Sequence, residues 1–283
     1  MIKKILGIAP REETDHSYSP SPVARLLAVD SRSDYDDPDY QAPAHNKKVL
    51  VICTEQDHMR MRNGKIFKTG NHPIELFVPL LHLRKAGIDF EIATPHGKPV
   101  ALEMWALPKK DPNVMDLYHH LQTSLRTPYD LSAMIRNGKH HEEDYDGIFI
   151  PGGHGAMLGL PEDPNVSSIL NWALSRDKHI MAICHGPAAF LALGEGQKSE
   201  EFPFRGFEMA VFPDSLDKST PFFGYLPGKM PWFFGKRLTD LGVQIVNKKA
   251  NGTCCVDRKL ITGDSPKAAN SFGKIVVREL LRS

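Results

Sequence analysis

No apolar run in these 283 residues comes near the 18 or so needed to span a bilayer, so no membrane partner is expected. Basic and acidic residues nearly cancel, at 35 Lys plus Arg against 34 Asp plus Glu, and no Lys/Arg-rich block occurs. That balance argues against nucleic acid as a main partner. The cysteines are few: Cys53, Cys184, Cys254 and Cys255. No CxxC pair exists and adjacent cysteines rarely bridge each other, which speaks against a disulfide framework and a zinc knuckle. Free thiols suit a reducing compartment, so a cytoplasmic protein is expected. The opening "MIKKILGIAPREE" has two lysines before an apolar run, but the run stops at Pro10, short for a secretory core. GxGxxG is missing, which removes the dinucleotide fingerprint. No internal repeat or low-complexity tract is visible.

What remains is ordinary globular composition, long enough for one large α/β domain with an insertion or for two small domains. Residues 1–46 carry Pro10, Pro20, Pro22, Pro38 and Pro43 and the acidic stretch "SDYDDPDY", which predicts an extended arm without a core of its own. "KKVLVIC" has the unbroken apolar look of a strand buried on both faces. "HPIELFVPLLHLRKAG" follows with helical spacing, Pro73 at its start and Gly87 at its stop, and Pro79 is expected to bend or end it early. "IDFEIATP" completes a strand–helix–strand crossover. From 98 to 144 that rhythm breaks into helical and loop sequence, read as an inserted small subdomain. It resumes with "YDGIFIPGG", the helix "NVSSILNWALSRD", the strand "HIMAIC" and a helix in "GPAAFLALG". "FEMAVFPD", a helix near 230–241, "VQIVN", a hairpin "TCCVDRKLITG" turning at Asp257-Arg258 and a closing helix from Ser265 finish the chain. The pattern predicts an α/β fold, a mostly parallel sheet sandwiched by helices, built from 47–97 and 145–283.

In such a sheet, sites form beyond the carboxyl ends of the strands, and three pieces fall there. Cys184 follows "HIMAI" and precedes Gly186 and Pro187. It is either a buried inert thiol or a nucleophile on a strained strand-to-helix turn, its pKa lowered by the helix N-terminus. "IPGGHGAM" puts Gly152 and Gly153 at a strand end, either as an ordinary turn or as amide donors for an oxyanion, with His154 beside them and the His185 amide as a second donor. Glu75 lies in a first helical turn, where a carboxylate also complements the helix dipole.

The ordered set "NHPIE", "PGGHGA", "CHGPAAFLA", "FPDSLD" and "LITGDSP" closely resembles the ThiJ/PfpI superfamily, with its flavodoxin-like, class I glutamine-amidotransferase-like fold. The resemblance spans about residues 45–283 and is strongest to the HchA-type branch of heat-shock chaperones with glyoxalase III and deglycase activity. It implies Cys184 as nucleophile, His185 as its histidine, and Asp217, ahead of Asp214, as the orienting carboxylate. It implies Glu75 as the acid at the sulfur, and Gly153 with His185 as oxyanion donors. Members of the branch can carry a metal on two histidines and a carboxylate. Without gaps those places hold Arg84, Asp89 and Leu121 here, and His82, His119, His120, His140 and His141 are off-phase or surface, so no metal and no other cofactor is expected.

The implied activity is glutathione-independent conversion of methylglyoxal or glyoxal to lactate or glycolate through a hemithioacetal on Cys184. Glycated side chains are a related substrate, and nucleic acid enters only when glycated. A cysteine peptidase or amidohydrolase is the alternative from the same thiol. A chaperone holding unfolded clients is the third, because "TPFFGYLPGKMPWFFG" is rich in aromatics, although these equally suit a core or a dimer interface. The branch forms homodimers, so one is expected.

Overall fold

The computed structural model describes residues 6–41, 44–139, 145–194 and 199–282. The apolar runs become parallel strands: β1 (Lys48–Ile52), β2 (Asp89–Thr94), β3 (Tyr129–Asp130), β4 (Gly147–Ile150) and β5 (His179–Ile183). The hairpin contributes β6 (Cys254–Asp257) and β7 (Leu260–Gly263). Their order across the sheet is β6-β7-β5-β4-β1-β2-β3, parallel throughout except for the antiparallel edge pair β6/β7. Neighbouring residues of one strand feed two different cores. Leu50 and Ile52 join one with Ile148, Ile150, Ile180 and Ala182. Val49 and Val51 join the other with Phe149, Met181 and Ile183. Both faces are therefore dry, which is why β1 and β5 read without polar alternation.

Helix α1 (Pro73–Lys85), α2 (Pro112–His120) and the closing α4 (Ala269–Arg282) belong to the second core, and α3 (Pro164–Ser175) covers the first. Pro73 opens α1, and Gly87 ends it at φ 75°. Pro79 does not end α1: the helix runs on to Lys85, buried from Pro73 through Leu83. Proline at 79 removes the donor to the Glu75 carbonyl four residues back, and packing on all sides holds the helix through that loss. The hairpin turns one residue later than its sequence suggests, with Asp257 opposite Leu260 and Arg258 at φ 58°.

Residues 98–144 supply α2 and edge strand β3, and a parallel bridge from Asn71 to Leu102 ties the segment to the start of α1. The N-terminal residues are more structured than an extended arm. Arg11–Glu12 and Tyr18–Ser19 join a four-stranded sheet with His58–Arg60 and Ile66–Lys68, and Pro22–Ala28 is a helix. Ser21 N–H and Oγ donate to the carbonyls of Gly224 and Phe223 at 2.8 and 3.1 Å. This docking brings Ala28 to the wall of the cavity described below. Residues 1–5, part of the leader-like opening, lie outside the described residues. No helix among the described residues is long and apolar enough to cross a membrane.

Candidate active site

Cys184 follows the last residue of β5 and has φ 60°, a left-handed conformation costly for a residue with a side chain. Its N–H donates to Gly263 of β7 at 2.7 Å, and its carbonyl accepts from Phe212 at 3.0 Å, so the turn is clamped from both sides. Cys184 is 4% exposed, yet it lines a cavity of about 250 Å³ together with Glu75, His185, His154, His72 and Glu103. That is below the ~300–1,000 Å³ typical of sites for drug-sized ligands.

The thiol donates to His185 Nδ1 at 3.2 Å, and His185 Nε2 donates to Asp217 Oδ2 at 2.9 Å. This network assigns the His185 tautomer, with Nδ1 left as an acceptor for the sulfur's proton. Phe212 stacks on the His185 ring at 4.7 Å and fixes its plane. Asp214 is elsewhere: it accepts the amides of Gly235 and Lys236 at 3.1 and 2.8 Å, at the start of the helix Phe234–Asp240.

Gly152 explains how Glu75 comes so near the sulfur. A Cβ at 152 would lie 2.2 Å from Glu75 Oε2 and 2.7 Å from Cys184 Cβ. Gly153, at φ 96°, would meet the Gly70 carbonyl at 2.3 Å and the His72 nitrogen at 2.5 Å. The amides of Gly153 and His185 make no backbone hydrogen bond among the described residues, so both are free to donate. The Gly153 amide lies close enough to Glu75 to favour its charged form, without a hydrogen bond to either carboxyl oxygen.

Burial pushes the Glu75 carboxyl well above the ordinary carboxylate range, outweighing the Cys184 thiol and the Gly153 amide that favour its charged form. The buried Glu75 carboxyl therefore favours its protonated form. The lowered thiol pKa expected for Cys184 is not found. Burial raises it, and a charged Glu75 would raise it further. The expected α-helical N-terminus is also absent, because Gly186–Leu193 winds as a 3-10 helix. A thiolate here depends on Glu75 keeping its proton and on His185 taking the sulfur's.

His154 is placed differently from a residue of the oxyanion turn. Its Nε2 donates to Asp217 Oδ1 at 3.0 Å, and its Nδ1 lies 3.9 Å from Glu103. Burial opposes a charge on this ring, yet Asp217 and Glu103 on its two sides raise its pKa to about 10. Burial likewise opposes charge on Asp217, but His185 and His154 hold its carboxyl well below the ordinary range. His185 is pushed down, by burial first and then by the His154 cation, and stays neutral.

Glu103, His72 and Tyr225 of the cavity wall escaped the sequence reading. Glu103 did carry a signal, as the lone carboxylate in the apolar stretch "VALEMWAL". The places of the branch's metal ligands do not fit a metal. Arg84 pairs with Asp116 at 3.6 Å, Leu121 is buried in the core, and neither side chain offers a lone pair. His82 is held between Tyr40 and Asn270, and His119 and His120 are exposed at the end of α2. His140 and His141 lie outside the described residues. Among those residues His154, His185 and Asp217 do cluster with ligand-type atoms within 4.8 Å, but those atoms are engaged with one another.

A family model described as the DJ-1/PfpI family matches residues 66–200. The protein/nucleic acid deglycase HchA of Pseudomonas aeruginosa is 41% identical over 276 residues, covering 97% of this chain and 95% of that protein. Protein/nucleic acid deglycase 1 of Escherichia coli K12 is 42% identical over 268 residues, covering 94% and 93%. Among solved structures, glyoxalase III of Candida albicans shares the fold, with TM-score 0.64 and 19% identity over 82% of this chain and 96% of that one.

Proposed function

Because this chain is an enzyme of the DJ-1/PfpI family, we propose that it acts on 2-oxoaldehydes such as methylglyoxal and glyoxal, free or added to protein and nucleotide groups, without glutathione. The observation that carries this is the strained Cys184, set in one small cavity with Glu75 and in contact with a His185 that Asp217 orients. His185 Nδ1 takes the S–H proton as sulfur adds to the aldehyde carbon, and the alkoxide takes the proton of Glu75, giving a hemithioacetal. The Gly153 and His185 amides, which make no backbone hydrogen bond among the described residues, are assigned as donors to that oxygen. Glu75, now a carboxylate, removes the hydrogen on the carbon bearing sulfur and delivers it to the neighbouring carbon. The result is a thioester of the 2-hydroxy acid. Water then displaces the sulfur, giving one proton to the Glu75 carboxylate while the sulfur recovers its own from His185, so both groups return to their starting states.

The small cavity favours this chemistry over a peptidase, which needs an open groove. Lactate formed from methylglyoxal without glutathione is the test, with Cys184→Ala expected to abolish it and Glu75→Gln to reduce it by about 10²–10⁴-fold. Activity of Cys184→Ala within tenfold of wild type refutes the assignment. A glycated thiol such as the methylglyoxal adduct of N-acetylcysteine, followed on a timescale shorter than its spontaneous release, separates deglycation from consumption of free aldehyde.

The chain is read as a cytoplasmic homodimer, the cytoplasm resting on cysteine spacing that suits a reducing compartment. Exposed Leu26, Leu27, Phe222 and Phe223 stand on two segments joined through Ser21, an apolar surface for a second copy. The same side chains favour a holding role toward unfolded clients if the chain is monomeric. Sedimentation decides between these, and holding must survive Cys184→Ala.

A further inference from the structure

Isomerising a hemithioacetal to a thioester moves two protons. One goes from carbon to carbon, which falls to Glu75. The other leaves the hydroxyl on the sulfur-bearing carbon and must end on the oxygen of its neighbour. His185 is engaged with sulfur and Asp217, and His154 with Asp217 and Glu103.

His72 is the remaining imidazole of the cavity. It is 6% exposed, lines the same space as Cys184, and precedes Glu75 by three residues, one helical turn along α1. Although it occupies the cap position of α1, its side chain does not cap the helix. Its Nδ1 is buried without a hydrogen-bond partner among the described residues, at a real cost in stability. The backbone beneath it is fixed, since its N–H donates to Gly152 at 2.9 Å and its carbonyl accepts from Leu76 at 3.0 Å. Gly153 leaves room for that contact.

We propose that His72 relays the second proton. Its N–H donates to the substrate's second oxygen as Glu75 removes the carbon-bound hydrogen. The same nitrogen then takes the hydroxyl proton from the first oxygen as the thioester carbonyl forms. The ring begins and ends neutral with its tautomer unchanged. An imidazole suits this because one ring nitrogen can first give a proton and then accept one. Burial lowers the His72 pKa, in keeping with that neutral form. The inference rests on the dicarbonyl activity proposed above.

The test uses the full chain with methylglyoxal as substrate and iodoacetamide as a separate probe of Cys184. His72→Ala and His72→Asn are expected to lose about 10²–10⁴-fold in lactate turnover, while alkylation of Cys184 stays within threefold of wild type. Mass spectrometry should find one methylglyoxal adduct accumulating on Cys184, and added imidazole should restore part of the turnover of His72→Ala in a saturable way. His72→Asn, close in shape, serves if the alanine variant folds poorly. Turnover of either folded variant within threefold of wild type overturns the relay. So does a loss of turnover matched by an equal loss of alkylation, with no rescue by imidazole, which marks a structural role. A wild type that forms no lactate, yet alkylates at Cys184, removes the proposed activity and the relay with it.

Discussion

Gly152→Ala is a one-methyl perturbation whose consequence can be worked from the geometry. The new Cβ would lie 2.2 Å from Glu75 Oε2, 2.5 Å from the Ile183 carbonyl oxygen and 2.7 Å from Cys184 Cβ. The Ile183 oxygen and the Cys184 Cβ belong to the clamped end of β5 and cannot yield cheaply. The Glu75 carboxyl is the part that can move, by more than an ångström to reach ordinary contact, and that shift changes its position against the sulfur. Overpacking of this kind costs about 1–3 kcal/mol, which for a chain of this size lowers Tm by roughly 2–4 °C per kcal/mol. A displacement of ~1 Å at a proton-transfer centre costs about 10²-fold in rate. Thermal unfolding and lactate turnover of the single variant, and of Gly152→Ala in a Glu75→Ala background, read the two effects separately. Removing the carboxylate first should relieve about 1 kcal/mol of the alanine's cost, because the two sites are in contact. A variant with wild-type turnover, or one whose cost is unchanged when Glu75 is absent, would show that Glu75 is not held against the sulfur through this glycine.

Two further outcomes follow from the buried charges. Glu75 has its folded-state pKa raised, so the folded protein holds a proton that the unfolded chain gives up above the ordinary value of 4.5. Its contribution therefore turns unfavourable as pH rises through 4.5. Glu75→Gln should raise Tm at pH 7, and the gain should shrink as pH falls to about 4; a gain that does not depend on pH contradicts the assignment. His154 is also shifted upward, from 6.5 to about 10, but there the favoured form is the charged one, so its stabilisation is complete below 6.5 and is lost as pH rises toward 10. Asp217→Asn, which leaves that imidazolium with one carboxylate, should cost about 3–5 kcal/mol near pH 6 and clearly less near pH 10, read by denaturant unfolding at both.

The central strands and their parallel character were legible because strands dry on both faces leave unbroken apolar runs, and β1, β4 and β5 all do. The turn at Cys184 was legible for the same reason, since a polar-capable residue ends such a run just before glycine and proline. Local pattern failed where packing overrides it. Pro79 is tolerated because the helix is enclosed, and the segment after Cys184 tightens to 3-10 turns despite helix-forming residues. It also failed where the site is assembled across long separations. Glu103 reaches the cavity through the pairing of Leu102 with Asn71, and His154 meets Asp217 across 63 positions. Nothing in the spacing of either residue announces its partner. Glu75 looked like any first-turn carboxylate, and family resemblance alone singled it out.

Two imidazoles share one carboxylate here, and their unequal surroundings give them unequal states. Asp217 offers Oδ2 to His185 and Oδ1 to His154 at nearly the same distance. If the two rings had identical neighbours, they would compete evenly for the proton that Asp217 stabilises. Glu103 breaks the tie. Standing beside His154 and anchored by Thr69 Oγ1 at 2.8 Å, it makes His154 the site where a cation is worth its desolvation. Once His154 is charged, its ring, 4.1 Å from that of His185, repels a second proton there. His185 thus keeps an open lone pair toward the sulfur while its other nitrogen stays hydrogen-bonded to a full carboxylate. Replacing Glu103 by Gln should therefore let the proton spread onto His185, weaken it as an acceptor, and slow alkylation of Cys184 even though Glu103 makes no hydrogen bond to the sulfur.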